Sequence, residues 1–253
     1  MKKVLLKGKG ICKTFSGNRD AMQVLDHVDI DIFEGDFTVI MGASGAGKSM
    51  LLYALSGMDG ITGGEVIFKG EKISNLMENK MAQLRAKEFG FVFQQTHLVS
   101  NLTLFENVAV AGYACKHKAV KDVSERAVQL LSQMQVDGAR DRLPHQVSGG
   151  EAQRAAIARA VINHPTLIFA DEPTGALNKA NSREVLDLLT ELNQNGQSIL
   201  MVTHDIRSAI HGNRILYLED GKILDELNLG AYQEDNGKMR ESKVSGWLSS
   251  LRW

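Results

Sequence analysis

Two stretches of this sequence combine residue types and spacings suited to phosphate chemistry. The first is Gly42-Ala43-Ser44-Gly45-Ala46-Gly47-Lys48-Ser49. Such small residues let a backbone wrap a triphosphate closely, so that successive N–H groups and the start of a following helix face negative oxygens. Lys48 would then reach the β- and γ-phosphates, and the Ser49 hydroxyl would hold Mg²⁺. The second stretch, Thr166-Leu167-Ile168-Phe169-Ala170-Asp171-Glu172, is an apolar run that ends in two carboxylates. Successive side chains on a strand point to opposite faces, so the pair can divide its work. Asp171 suits the Mg²⁺ shell, and Glu172 suits a general base that polarises the attacking water.

Both stretches need a strand behind them, and the pattern supplies one in each case. Phe37-Thr38-Val39-Ile40-Met41 reads as a buried strand entering the glycine-rich turn, and residues 49–56 read as a helix closed by Gly57. Val28, Ile30 and Ile32 alternate with Asp29 and Asp31, a period of two that predicts a half-buried strand before the turn at Gly35-Asp36. A short strand follows over 65–68. Residues 104–115, 123–134 and 149–163 carry a helical pattern, the last ended by Pro165. Strand and helix then alternate over 167–170, 183–192, 199–202 and 215–218. That order predicts an α/β fold in which a mostly parallel sheet is covered by helices on both faces. In the tail, Trp247 and Leu251 stand at helical spacing, and packing of the tail on its own domain is the expectation.

Composition sets the outer limits. With 253 residues the chain is long enough for a sizeable core, and no apolar run approaches the ~18 residues of a membrane-spanning helix. The basic start is broken by Lys7 and Gly8 before an apolar signal core can form. A net charge of −1 gives no global basic field for nucleic acid. Cys12 and Cys115 lie far apart, outside any Cys-x-x-Cys spacing, and read as idle thiols in a reducing compartment. These features describe a soluble, intracellular globular chain.

A third segment, Val147-Ser148-Gly149-Gly150-Glu151-Ala152-Gln153-Arg154, is similar to the signature of the ATP-binding cassette (ABC) family, and the resemblance extends from Phe15 to His204 in the family's order. It implies a P-loop NTPase core with a mostly parallel sheet, an antiparallel β subdomain near the N-terminus and a helical subdomain, about 96–164, inserted before the signature. The expected organisation is one ATPase domain over 1–229 and a tail over 230–253. In this family two cassettes pair head-to-tail with ATP sandwiched between them. Gly42, Ala43, Ser44, Gly45, Ala46, Gly47, Lys48, Ser49 and Met50 of one copy would face Ser148, Gly149, Gly150 and Glu151 of the other. A helix that starts at Ser148 fits that role, because hydroxyl, backbone N–H groups and the positive dipole end would all face a γ-phosphate. By the same resemblance Phe15 stacks on adenine, Gln94 touches Mg²⁺ and the attacking water, with Gln95 as the alternative register, and His204 contacts the γ-phosphate.

Three positions depart from the family pattern. Asn178 stands where the family usually has aspartate, which loses a charge but keeps an acceptor; Met50 replaces a frequent threonine and Val147 a frequent leucine. The segments Phe89–Phe93 with Gln94-Gln95, Leu102-Thr103-Leu104-Phe105-Glu106-Asn107-Val108 and Pro173-Thr174-Gly175 resemble one bacterial branch. That branch contains the macrolide-exporter, lipoprotein-releasing, cell-division and bacitracin-resistance cassettes, and residues 40–48 together with the Trp-containing tail look closest to the antimicrobial-peptide-resistance type. The resemblance implies a second copy of the chain and an integral membrane permease as partners, no nucleic acid, and a place on the cytoplasmic face of the membrane. The alternative is a cassette that powers a cell-division or signalling permease, or one that acts on nucleic acid or ribosomes. The last kind calls for a long coiled-coil insert or a second cassette, and neither is present in the sequence.

Overall fold

The computed structural model describes residues 2–16, 21–115, 119–251 and 253, with Ser16 in its backbone only. Its strands are β1 (Val4–Ser16), β2 (Ala21–Phe33), β3 (Phe37–Met41), β4 (Gly63–Phe68), β5 (Glu71–Lys72), β6 (Phe89–Phe93), β7 (Leu167–Asp171), β8 (Ser198–Val202), β9 (Arg214–Glu219) and β10 (Lys222–Asn228). Its helices are α1 (Lys48–Ser56), α2 (Glu78–Glu88), α3 (Leu104–Tyr113), α4 (Val120–Gln133), α5 (Gly149–Val161), α6 (Lys179–Gln194), α7 (Ile206–Ala209) and α8 (Gly237–Ser250). They fall into two units, Met1–Met81 with Asn193–Trp253, and Ala82–Leu192.

In the first unit, β3 runs parallel to both β8 and β9, and all five of its residues are buried. An apolar run without alternation is what a strand flanked on both sides and covered on both faces requires. The edge strand β10 pairs antiparallel with β9, and its mostly exposed Lys222, Glu226 and Asn228 suit an edge. The strands β2-β1-β4-β5 form a separate antiparallel sheet. There Val28, Ile30 and Ile32 point inward and Asp29 outward, as the alternation predicts. The Gly35-Asp36 turn is present, with the Asp36 N–H donating to the Phe33 carbonyl at 3.2 Å.

In the second unit, β6 and β7 pair in parallel from Phe89↔Leu167 to Phe93↔Asp171, and Phe169 stacks on Phe91 and meets the edge of Phe89. The helix α4 buries Val123, Ala127, Leu130 and Leu131, the stripe of an amphipathic helix. Its partner α5 buries five alanines, whose small side chains let neighbouring helices approach closely. A capping box between Thr103 and Glu106 starts α3, and Asn107 bonds Val99, Leu102 and Thr103 to shape the turn before it.

Several elements differ from the sequence reading. The helix α5 stops at Val161 because the guanidinium of Arg126 takes the Val161 and Ile162 carbonyls at 3.0 and 2.8 Å. Asn178 starts α6 early, its Oδ1 accepting from the Asn181 N–H at 2.9 Å. Two elements carry no readable pattern. Lys7, Gly8, Lys9 and Gly10 interrupt β1, which is held by pairing with β2 on one side and β4 on the other. The helix α2 buries Met81 alone and is mostly polar. No helix among the described residues is long and apolar enough to cross a membrane.

Candidate functional site

The first unit holds the glycine-rich turn between β3 and α1. Gly42 leaves the strand where a Cβ would stand 2.1 Å from the Leu218 carbonyl oxygen, so only glycine fits. Gly47 precedes α1 with φ 98°, a left-handed conformation, and a Cβ there would lie 2.9 Å from the Val24 carbonyl. No side chain caps α1 and its first turn carries no acidic residue. A helix start with no acidic residue of its own suits an anionic ligand. Lys48 is 8% exposed, and its ammonium lies against the Gly42 and Ala43 carbonyls at 2.8 and 2.9 Å, folded back along the turn it would serve. Ala43, Ser44 and Gly45 are exposed, Ala46 is buried, and Ser49 and Met50 are half-buried at the helix start.

His204 leaves the same end of the sheet. Ile40 and Val202 are paired in register, and the Thr203 N–H donates to the Ile40 carbonyl at 3.1 Å. Gly42 and His204 are thus each two residues past a paired position on adjacent parallel strands, at the carboxyl ends where α/β sheets bind ligands. His204 is exposed, and Asp205 behind it caps α7 by accepting from the Arg207 N–H at 3.1 Å and the Ser208 hydroxyl at 3.0 Å. Phe15, on β1, is 44% exposed, with the Lys13 ammonium 5.0 Å from its ring centroid. The ring is solvent-accessible, with a cation over one of its faces.

The second unit holds the carboxylates. Asp171 ends β7 and is nine-tenths buried; Glu172, half-buried, follows at φ 47°. A left-handed glutamate costs on the order of 1–3 kcal/mol, and such strain clusters where a side chain must be aimed. The turn closes through the Gly175 N–H, which donates to the Glu172 carbonyl at 3.0 Å. Phe93 pairs with Asp171, which puts Gln94 and Glu172 each one residue beyond the pair. A Cβ on Gly175 would lie 2.8 Å from the Gln94 amide nitrogen, so the side chain of Gln94, rather than Gln95, lies on the carboxylate turn.

The signature segment starts α5 in the same unit. The Ser148 hydroxyl accepts from the Glu151 N–H at 3.2 Å, and the Glu151 carboxylate accepts from the Ser148 N–H and hydroxyl at 2.8 and 2.7 Å. These bonds, the hydroxyl first, hold the Glu151 carboxyl below its ordinary range. Glu151 thus acts inside its own chain as a capping partner, while Ser148 and Gly149 are exposed. Gly150 is buried, and a Cβ there would strike the Asn181 amide at 2.6 Å.

Two residues have positioning roles that the motifs do not assign, one of them inside the signature segment. Gln153, 1% exposed, donates to the Phe93 carbonyl at 2.9 Å and so anchors the strand end that carries Gln94. Arg159 donates to the Thr96 and His97 carbonyls at 2.7 and 2.8 Å, holding the loop beyond it. The available signal was a polar Gln153 on the same helical face as the apolar Ala156, Ile157 and Ala160.

The geometry is that of a P-loop nucleotide-binding cassette, and comparison with known proteins agrees. The ABC transporter family profile matches residues 25–175. The macrolide export ATP-binding/permease protein MacB of Wolinella succinogenes is 42% identical over 224 residues, covering 88% of this chain and 34% of that protein. MacB of Pasteurella multocida is 36% identical over 253 residues, covering 100% of this chain and 38% of that protein. The chain therefore spans about a third of the length of these relatives. Among solved structures, a dimeric post-hydrolysis state of the ATP-binding cassette MJ0796 with ADP and Pi is 36% identical at a TM-score of 0.84, covering 90% of this chain and 100% of that one. A second dimeric structure of MJ0796, described as a bacterial ABC transporter cassette, is 37% identical at the same TM-score and coverage. The chain belongs to the ABC transporter family. It is an ATPase cassette, and its relatives lie in the macrolide-export branch.

Proposed function

We propose that two copies of this cassette close head-to-tail on ATP and that its hydrolysis drives a membrane permease from the cytoplasmic face. The observation that carries this reading is the start of α5. Ser148 and Gly149 stand exposed at a helix N-terminus, whose positive dipole end suits a phosphate even though Glu151 caps it within the chain. The Gly42–Ser49 turn of a second copy would bring the phosphates to it, and the dimeric MJ0796 cassettes are in keeping with such pairing.

In that closed pair Lys48 neutralises the β- and γ-phosphates, and the small residues at 42–47 let backbone N–H groups approach them. Ser49, Asp171 and Gln94 offer hydroxyl, carboxylate and amide oxygens, the hard donors that suit Mg²⁺. The ion, when bound, supplies charge neutralisation at the phosphates. Glu172 takes the proton of the attacking water, Gln94 orients that water, and His204 hydrogen-bonds the γ-phosphate as it departs. Phe15 offers its open face to adenine. Glu151 contributes through the cap it makes with Ser148.

The cargo, by kinship with macrolide export proteins and by resemblance to antimicrobial-peptide-resistance cassettes, is an antimicrobial compound handled by the permease. Affinity purification of the tagged chain from its own cells tests this. Recovery with an integral membrane protein is the expected outcome; recovery with DNA or ribosomes contradicts it.

A further inference from the structure

Arg240 is the largest fully buried side chain among the described residues, 2% exposed in α8. A guanidinium is costly to bury unless its donors are met, and here carbonyl oxygens meet them. Its Nε donates to the Ile210 carbonyl at 2.7 Å and one terminal nitrogen to the Gly212 carbonyl at 2.5 Å. The other donates to the Leu229, Gly230 and Ala231 carbonyls, each at 3.2 Å. The Tyr232 ring lies 5.5 Å from the guanidinium and stacks on His211, with ring centroids 4.3 Å apart.

What Arg240 holds is the far end of α7. That helix is one turn long, too short to fix itself, so its place is set by what grips its two ends. At the front, Thr203 is tied to Ile40 and Asp205 caps the turn. At the back, the Ile210 and Gly212 carbonyls converge on Arg240. His204 lies within the front grip, between the Thr203 tie and the Asp205 cap, and the rear grip bears on it through α7.

We propose that Arg240 is a positioning residue for ATP hydrolysis: by gathering the carbonyls behind α7 it fixes the path of His204 at the phosphate end of β3. The inference rests on the reading of His204 as the γ-phosphate contact. It makes α8 part of the hydrolytic apparatus, although the helix carries none of the family motifs.

A double-mutant cycle on the full chain tests it. ATP turnover is measured for Arg240→Met, Arg240→Lys, His204→Ala and the pair Arg240→Met with His204→Ala. Both tryptophans lie in the tail, so Trp253→Phe leaves Trp247 as a reporter; its indole donates to Asp225 at 2.8 Å and meets the edge of Tyr217. Emission from Trp247 then shows whether α8 is docked. The expected result for Arg240→Met is kcat down about tenfold with KM for ATP within about twofold, because misplacing a transition-state contact spares ground-state binding. Arg240→Lys recovers part of the loss, and Arg240→Met adds no further loss in the His204→Ala background. Unchanged kcat in Arg240→Met overturns the proposal whether or not α8 stays docked, as do losses that multiply in the pair. Full turnover in His204→Ala alone refutes the reading of His204, and that result is separate from the cycle.

Discussion

The side-chain amide of Gln153 donates to the carbonyl oxygen of Phe93 across 2.9 Å, tying the signature helix to the strand end that presents Gln94. The donor is 1% exposed, so water is no ready substitute as its partner. Gln153→Ala is expected to cost about 1–3 kcal/mol of stability through the unmet carbonyl. It is also expected to lower turnover more than ATP affinity, because Gln94 loses its anchor while the phosphate turn is untouched. Denaturant unfolding and steady-state kinetics on one preparation read both effects.

The glycines of the phosphate turn are not equivalent. A Cβ at Gly42 would press on the Leu218 carbonyl at 2.1 Å, whereas one at Gly45 would meet nothing within 4 Å. Gly45→Ala therefore pays only for its left-handed backbone, φ 85°, about 1–2 kcal/mol. Gly42→Ala must move backbone and is expected to abolish nucleotide binding. Titration with a fluorescent ATP analogue ranks the two; equal loss would argue against the steric account.

Bonds from Ser148 depress the carboxyl of Glu151, which fixes the direction of a pH effect. A carboxyl whose folded pKa lies below its unfolded one stabilises fully above the ordinary carboxylate range and loses that contribution as pH falls through the folded value. Melting temperatures taken from neutral pH downward should show wild type losing this increment in acid. Glu151→Gln, which keeps an acceptor but no titrating group, should fall less steeply.

Leu248 is 1% exposed on α8, beside Val244 at 0%. Leu248→Ala is expected to destabilise the chain by about 2–5 kcal/mol, the range for a buried leucine cut to alanine. Denaturation followed by tryptophan emission gives the value. A change below ~0.5 kcal/mol, typical of exposed positions, would show α8 to be a loose appendage.

The parts of this molecule legible in the sequence are those whose structure is decided locally. The turn at 42–49 carries its own glycines, the β7 run its own carboxylates, and α5 its own capping box. Others are decided at long range. The broken pattern of β1 becomes a strand because β2 and β4 pair with it, and Arg240 is buried because carbonyls from two distant segments converge on it. Gln153 was visible as a polar residue on an apolar face, but its partner at Phe93 was not. Asn178, which reads as a lost charge that keeps an acceptor, is within its own chain the cap of α6.

The central claim is that Glu172 is the base of an ATP-hydrolysing cassette, and Glu172→Gln tests it most directly. With Mg²⁺ and ATP the variant is expected to bind nucleotide, accumulate as a dimer in size-exclusion chromatography and lose turnover by about 10²–10⁴-fold, the range for a positioned general base. Turnover equal to wild type would remove Glu172 from that role and contradict the account.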